Sequence, residues 1–393
     1  MEEKVKMSKV LFEITEDNLD TGLRGYPVGY CTTSNVDPIK GLFYRNYPVA
    51  DIAYWEPERA IHLLYTGNDG SKGEIEDFSN LLQRHAICAP RVIDHIRKLP
   101  NEGHPMQLFC AALFTCGMIE GQNDYRADCL ALIAKIPEIA AAVINYHAGW
   151  GESKPSKPEL GYIENFVHML NVPNASPEEL IEVFKLFNVL HLDHGGGNLS
   201  TFVGKAVASG LQDMYGSIAA AMSALAGPRH GRANQDCLEF VEEIQGELQN
   251  DVSPETVEAL IRDRLANNQL VFGFGHAVLR VEDPRATVLY ALAEKKYPDN
   301  PLVKLTQILR TIGPKVLAEN PKISNPYPNV DAISGTVLSA AGFPYPEYFT
   351  ILFGLARTVG IAVQIVHERC IAREGKGLPI VRPKYLYKSS PTT

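Results

Sequence analysis

The stretch from Tyr348 to Ala372, "YFTILFGLARTVGIAVQIVHERCIA", constrains this chain more than any other. Its hydropathy invites a membrane-spanning reading, but Arg357 interrupts it near the middle and His367, Glu368 and Arg369 near the end. The uncharged runs between these groups are about nine residues, far short of the roughly 20 that a span needs. The segment is therefore expected to be an apolar helix with an arginine inside it. A charge in that position costs free energy unless paired, so Arg357 calls for a permanent or bound carboxylate.

Helix-start signals recur through the rest of the chain. "SPEELIEVFKLFNVLH" offers Ser176 as a cap, Pro177 at the first helical position and Glu179 placed for a capping box. Ser253–Pro254 and Asp283–Pro284 repeat the device. Apolar residues at three- and four-residue spacing fill 133–144, 166–170, 302–316 and 349–366. Alternating, β-branched stretches are confined to "LFEIT" and "GYPVGYCTTSNVDP" near the N-terminus, where a small hairpin region is expected. "ESKPSKPE" (152–159) and "NPKISNPYPN" (320–329) read as loops, and "PKYLYKSSPTT" as a tail. The fold class is mainly α with a small N-terminal β region.

A chain of 393 residues suffices for one large domain or two. Its net charge of -9 argues against a broad nucleic-acid surface. The seven cysteines are scattered and form no C-x-x-C pair, and most lie in apolar runs, as reduced buried thiols do. The opening "MEEKVKMSKVLFEIT" lacks the apolar core of a signal peptide and is too acidic for a usual transit peptide. These features lead us to expect a cytoplasmic setting, with no membrane and no nucleic acid as partners.

Four stretches put ionisable groups at Gly- or Pro-rich breaks between helices: "HLDHGGGN" (191–198), "GPRHGRAN" (227–234), "GFGHAVLRVEDPR" (273–285) and "NVDAISG" (329–335). Glycines let a ligand approach the backbone closely, so such breaks suit a catalytic site. Zinc is one reading of the histidines, but no H-E-x-x-H or clustered cysteine supports it, and no metal is expected. A phosphate loop is another, but the chain holds no G-x-x-x-x-G-K-[ST]. Taken alone, His230 and His276 read as turn or core-edge residues. His191 reads as the close of a helix, and Asp331 as the cap of "AISGTVLSAAG".

Taken together, "GPRHGRANQ", "GFGHAVLRVEDPR" and "NVDAISG…TILFGLAR…LPIVRPK" resemble the motif series of the citrate synthase family, in order and in separation. "HPM" (104–106) and "LRGYPVGYCTTSNVDP" (23–38) match the family's N-terminal half more loosely. The resemblance spans nearly the whole chain. It implies a two-domain helical acyltransferase that condenses acetyl-CoA with oxaloacetate and hydrolyses citryl-CoA, with coenzyme A as part of the substrate and no separate cofactor. It implies that Asp331 removes the methyl proton, that His230 donates to the thioester oxygen and that His276 polarises the ketone under attack. A positioned acid or base contributes about 10²–10⁴-fold.

By the same resemblance, Arg285, Arg357 and Arg382 hold the two carboxylates of oxaloacetate with His194, Arg382 reaching across a homodimer. Guanidinium forks suit that task better than point charges. Arg280, Arg24 and the "VFGFG" backbone (Val271, Gly273, Phe274 and Gly275) are implied for coenzyme A. The large domain is expected over 1–230 and 337–393 and the small one over 231–336. Gly195, Phe272, Phe274 and Ile333 depart from common family residues, which leaves 2-methylcitrate synthesis from propionyl-CoA as an alternative. A non-catalytic paralogue that binds CoA or a dicarboxylate is the rival from another class, and a zinc hydrolase a distant third.

Overall fold

A computed structural model describes residues 9–249 and 251–388. The first eight residues, part of the targeting expectation, and the last five of the expected tail lie outside that range. Among the described residues the chain forms sixteen α-helices and one three-stranded antiparallel sheet: β1 (Ser34–Asp37), β2 (Gly41–Tyr44) and β3 (Tyr47–Pro48). "LFEIT" forms no strand; Val10, Leu11 and Ile14 are exposed and have no pairing partner there. An apolar–polar alternation needs a neighbouring strand to hydrogen-bond with, and only "SNVD" has one.

The proline-led starts form as read. Ser176 Oγ accepts from Glu179 N, Ser253 Oγ from Thr256 N, and Asp283 Oδ1 from Arg285 N. Glu179 does not complete its capping box. Its carboxylate instead takes Lys296 and the Tyr297 hydroxyl from a neighbouring helix, charge and hydrogen bond outbidding one backbone amide.

The Phe349–Val366 helix is the spine of the larger core. Every residue of it is buried except Phe353. It packs against the Tyr125–Ala148, Pro177–His191, Leu199–Ser209 and Met214–Leu225 helices. The apolar window that resembled a membrane span is thus enclosed by protein. The spine ends in a π-helical turn, His367–Ile371, from which the tail departs. Beside it, the long Tyr125–Ala148 helix carries Pro137, which cannot bond the carbonyl of Ile133. The buried Tyr162 hydroxyl donates to that carbonyl instead, at 3.0 Å.

A second, smaller cluster joins Phe240, Val241 and Ile244 to Val257, Ile261, Leu305, Leu309, Ile312 and Val316. Phe272 and Phe274 lie against it. The β1–β2 hairpin packs with the larger core through Leu42 and Tyr44. Gly41, with φ near +90°, sits where a Cβ would meet the Pro284 ring at 2.4 Å, so the hairpin turn abuts the start of the Pro284–Lys296 helix.

Candidate active site

The 191–198 loop is zipped onto one face of the spine. Arg357, Gly360 and Gln364 follow one another at helical spacing and meet successive loop groups. Arg357 Nε donates to His191 O (3.1 Å), Gly360 N to Leu192 O (3.0 Å), and Gln364 Nε2 to Asp193 Oδ1 (2.9 Å) and Gly195 O (3.2 Å). Asn198 caps the next helix and donates to the carbonyls of His194 and Gly195. Gly195 has φ near +71°, so a glycine suits the position. Within this frame the Nε2 of His194 is buried with no partner, and its ring lies 5.2 Å from that of His276. Burial, then Arg285 and Arg357, hold His194 well below the usual histidine range.

His230 stands in the turn between the Met214–Leu225 and Ala233–Leu248 helices. Hydrogen bonds His230 N to Gly227 O and Gly231 N to Leu225 O close that turn. Its Nε2 accepts from the backbone N–H of Ser200 at 3.2 Å, with Ser200 Oγ at 2.9 Å. A backbone N–H only donates, so Nε2 carries the lone pair and Nδ1 the proton. Burial, with Arg357 adding to it, pushes His230 down to about 4. The ring is a neutral Nδ1–H donor at physiological pH.

His276 is the mirror case. Its Nδ1 accepts from Val278 N and Leu279 N, both at 3.0 Å, which leaves the proton on Nε2. Burial and then Arg285 push it down to about 4, so it too is neutral. Its loop is stitched to residues 325–331. Asn325 Nδ2 donates to Leu279 O, Asn329 Nδ2 to Gly275 O, and Asn329 N to Gly273 O. Gly273, with φ near +84°, lies where a Cβ would come 2.8 Å from the Ala332 Cα.

Asp331 opens the Asp331–Ala340 helix, but it does not cap it. Asn329 Oδ1 accepts from Asp331 N at 3.0 Å and satisfies that end, so the Asp331 carboxylate has no hydrogen-bond commitment among the described residues. The cap reading of Asp331 is corrected accordingly. The part-buried carboxyl is pushed up to about 7 by burial, against the pull of Arg285 and with the push of Asp283.

The two buried arginines differ. Arg285 does not reach outward from its helix end; it folds back onto Asp283, with Nε to both carboxylate oxygens and Nη2 to Oδ2 at 2.7 Å. Burial opposes the Arg285 charge, and Asp283 more than offsets it. Its Nη1 has no protein partner among the described residues. Among the described residues Arg357 makes a single bond, to His191 O, lies 4.7 Å over the Phe353 ring and has no contacting carboxylate. Burial pushes its guanidinium down to about 10. The pairing that a buried arginine demands is left to a ligand.

His191 is buried, donates through Nδ1 to Phe187 O at 2.7 Å and stacks on the Phe187 ring. Arg280 lies on the His276 loop and donates through Nη1 to the carbonyls of Val278 and Leu279. The Phe274 ring is turned into the smaller core against Gly313. Arg24 and Arg382 are exposed and are not brought to this cluster within the chain. Sequence reading missed Asp193, Ser200, Asn329 and Gln364 and treated Asp283 as a cap alone. The aspartate of "HLDH", directly before a candidate histidine, was the one available signal.

A family model described as "Citrate synthase, C-terminal domain" matches residues 22–384. Citrate synthase 4, mitochondrial, of Arabidopsis thaliana is 35% identical over 95% of this chain and 82% of its own length. The peroxisomal citrate synthase of Saccharomyces cerevisiae is 33% identical over 97% of this chain and 85% of its own. Among solved structures, the citrate synthase of Thermoplasma acidophilum, in ternary complex with carboxymethyl coenzyme A and oxaloacetate, superposes with a TM-score of 0.82 at 27% identity, over 95% of this chain and 97% of that one. These relatives are mitochondrial and peroxisomal proteins, which overturns the cytoplasmic expectation. Free thiols report a reducing surrounding, which is not peculiar to the cytoplasm.

Proposed function

Because the chain belongs to the citrate synthase family, we propose that this enzyme condenses acetyl-CoA with oxaloacetate and hydrolyses the citryl thioester to citrate and CoA. The observation that carries the chemistry is the set of protonation states. Two neutral imidazoles have opposite tautomers, each fixed by backbone N–H groups, and the Asp331 carboxylate is free of hydrogen bonds among the described residues.

The methyl group of acetyl-CoA is a weak carbon acid, so its proton leaves only if the thioester oxygen is stabilised as the enol forms. Asp331 takes the proton, and its raised pKa makes it a stronger base than an ordinary carboxylate. His230 donates Nδ1–H to the thioester oxygen, a contribution worth roughly 3–4 kcal/mol for a preorganised donor. His276 donates Nε2–H to the oxaloacetate ketone, which the enol carbon then attacks. Arg357, the free Nη1 of Arg285 and the orphan Nε2 of His194 receive the carboxylates. Arg280, the 271–275 backbone and Arg24 receive coenzyme A.

The same reading makes the protein a homodimer in which Arg382, on an exposed tail, completes the partner's site. It divides the chain into a large domain, 1–230 with 337–393, and a small one, 231–336, that close over the substrates and exclude water from the enol. Release of CoA thiol from acetyl-CoA, strictly dependent on oxaloacetate, is the expected result on purified protein. Turnover with propionyl-CoA at higher kcat/KM would favour the 2-methylcitrate reading. Binding of oxaloacetate without any thiol release would sink the assignment in favour of a non-catalytic binder.

A further inference from the structure

Asp193 is fully buried and collects four donors on one carboxylate. Oδ2 accepts from the hydroxyls of Thr33 and Ser34 (the latter 2.7 Å), and Oδ1 from Gln364 Nε2 and from His194 N, both at 2.9 Å. Among the described residues no cation touches it. Arg357 lies one helical turn before Gly360 on the spine and feels its charge, as does Arg45. Gly360 abuts Asp193 so closely that a Cβ there would lie 2.5 Å from the aspartate Cγ. The carboxylate is thus pinned beside Arg357 and kept from pairing with it.

That separation has a use. A contact pair would occupy the guanidinium fork, and Arg285 shows what such a pair looks like in this same site. Without any counter-charge, Arg357 would be a lone buried cation, which is strongly unfavourable. We infer that Asp193 is a positioning residue that acts as a non-contacting counter-ion: it keeps Arg357 charged and stable in the empty site, and it tempers the affinity of that site for a dicarboxylate. The attraction of Asp193 acts on Arg357 in the direction this requires, opposing the effect of burial.

The inference rests on the reading that Arg357 takes an oxaloacetate carboxylate. Its sign distinguishes it from a merely structural role. Asp193→Asn keeps the shape and one acceptor for Gln364 and His194 N while removing the charge. It is expected to lower the melting temperature of the ligand-free protein and to tighten oxaloacetate binding by about tenfold, since a dianion then meets one negative charge fewer at close range. Asp193→Ser, smaller and also neutral, is expected to act in the same direction should the asparagine variant not fold. Asp193→Glu keeps the charge but crowds Gly360, and it is expected to weaken binding by displacing His194.

Calorimetric titration of full-length protein with oxaloacetate, with melts in its presence and absence, reads all three. Tighter binding in the neutral variants with a less stable empty protein supports the counter-ion role. Neutral variants that bind no tighter than wild type overturn it and leave Asp193 a scaffold residue. Wild-type protein that shows no oxaloacetate binding would instead fail the functional reading itself.

Discussion

Asp331→Asn should make this protein more stable while it destroys catalysis, and the gain should depend on pH in a way the structure specifies. Raising a carboxyl from 3.8 to about 7 means that its ionised form costs on the order of 4 kcal/mol in the fold, at 1.36 kcal/mol per pH unit. The folded state holds this proton more tightly than the unfolded chain does. The stabilisation from the retained proton is therefore complete below pH 3.8 and is lost as pH rises through about 7. Asparagine cannot ionise, and the Asp331 carboxylate makes no cap hydrogen bond, so the substitution loses no cap. The stability difference between variant and wild type should grow by roughly 2–3 kcal/mol from pH 5 to pH 8 and then level off. In melting experiments that is a widening gap of several degrees in Tm, while CoA release falls by about 10²–10⁴-fold. A gap that is flat with pH, or a variant less stable than wild type at pH 8, would refute the claim that the ionised carboxylate is strained.

Three further outcomes are expected. The pH profile of kcat/KM for acetyl-CoA should rise through a single ionisation near 7 and stay level to pH 8; a fall within that range would mean that a histidine must be protonated, contrary to the values of about 4 for His230 and His276. Arg357→Met should leave the ligand-free protein about as stable as wild type, because a buried charge without a contacting carboxylate is replaced by apolar volume while Asp193 keeps its four hydrogen bonds, yet raise the oxaloacetate KM by about 100-fold or more. Thermal melts and steady-state kinetics test both halves. Arg382→Ala and His276→Ala proteins, each inactive, should recover activity when mixed and allowed to exchange subunits; no recovery would remove the shared-site proposal.

The helical content and the arginine buried inside an apolar helix were legible because their signals are local. Ser-Pro and Asp-Pro starts, the Gly227–Pro228 break and a lone arginine in an apolar helix each declare themselves within a few residues. What could not be read depends on partners far along the chain. The state of His230 is set by Ser200, 30 residues away, and Asp193 is held by Thr33 at a separation of 160. Arg285 was expected to reach out, but a carboxylate two residues back was nearer than any substrate. Whether Asp331 caps a helix turned on Asn329, which offers the same kind of oxygen two positions earlier.

The zipper between the spine and the 191–195 loop bears on how sequences of this kind can diverge. Arg357, Gly360 and Gln364 meet the loop in a fixed rotational phase, and the same helix ends in the π-turn that sets the direction of the tail. Deleting one residue between Phe349 and Val366 would turn everything beyond it by about 100°. Point substitutions there need only preserve volume, whereas a change of length would put Gln364 or the tail out of phase with its partners at once. A library of single-residue insertions and deletions should find this helix closed to length change even where it tolerates replacement.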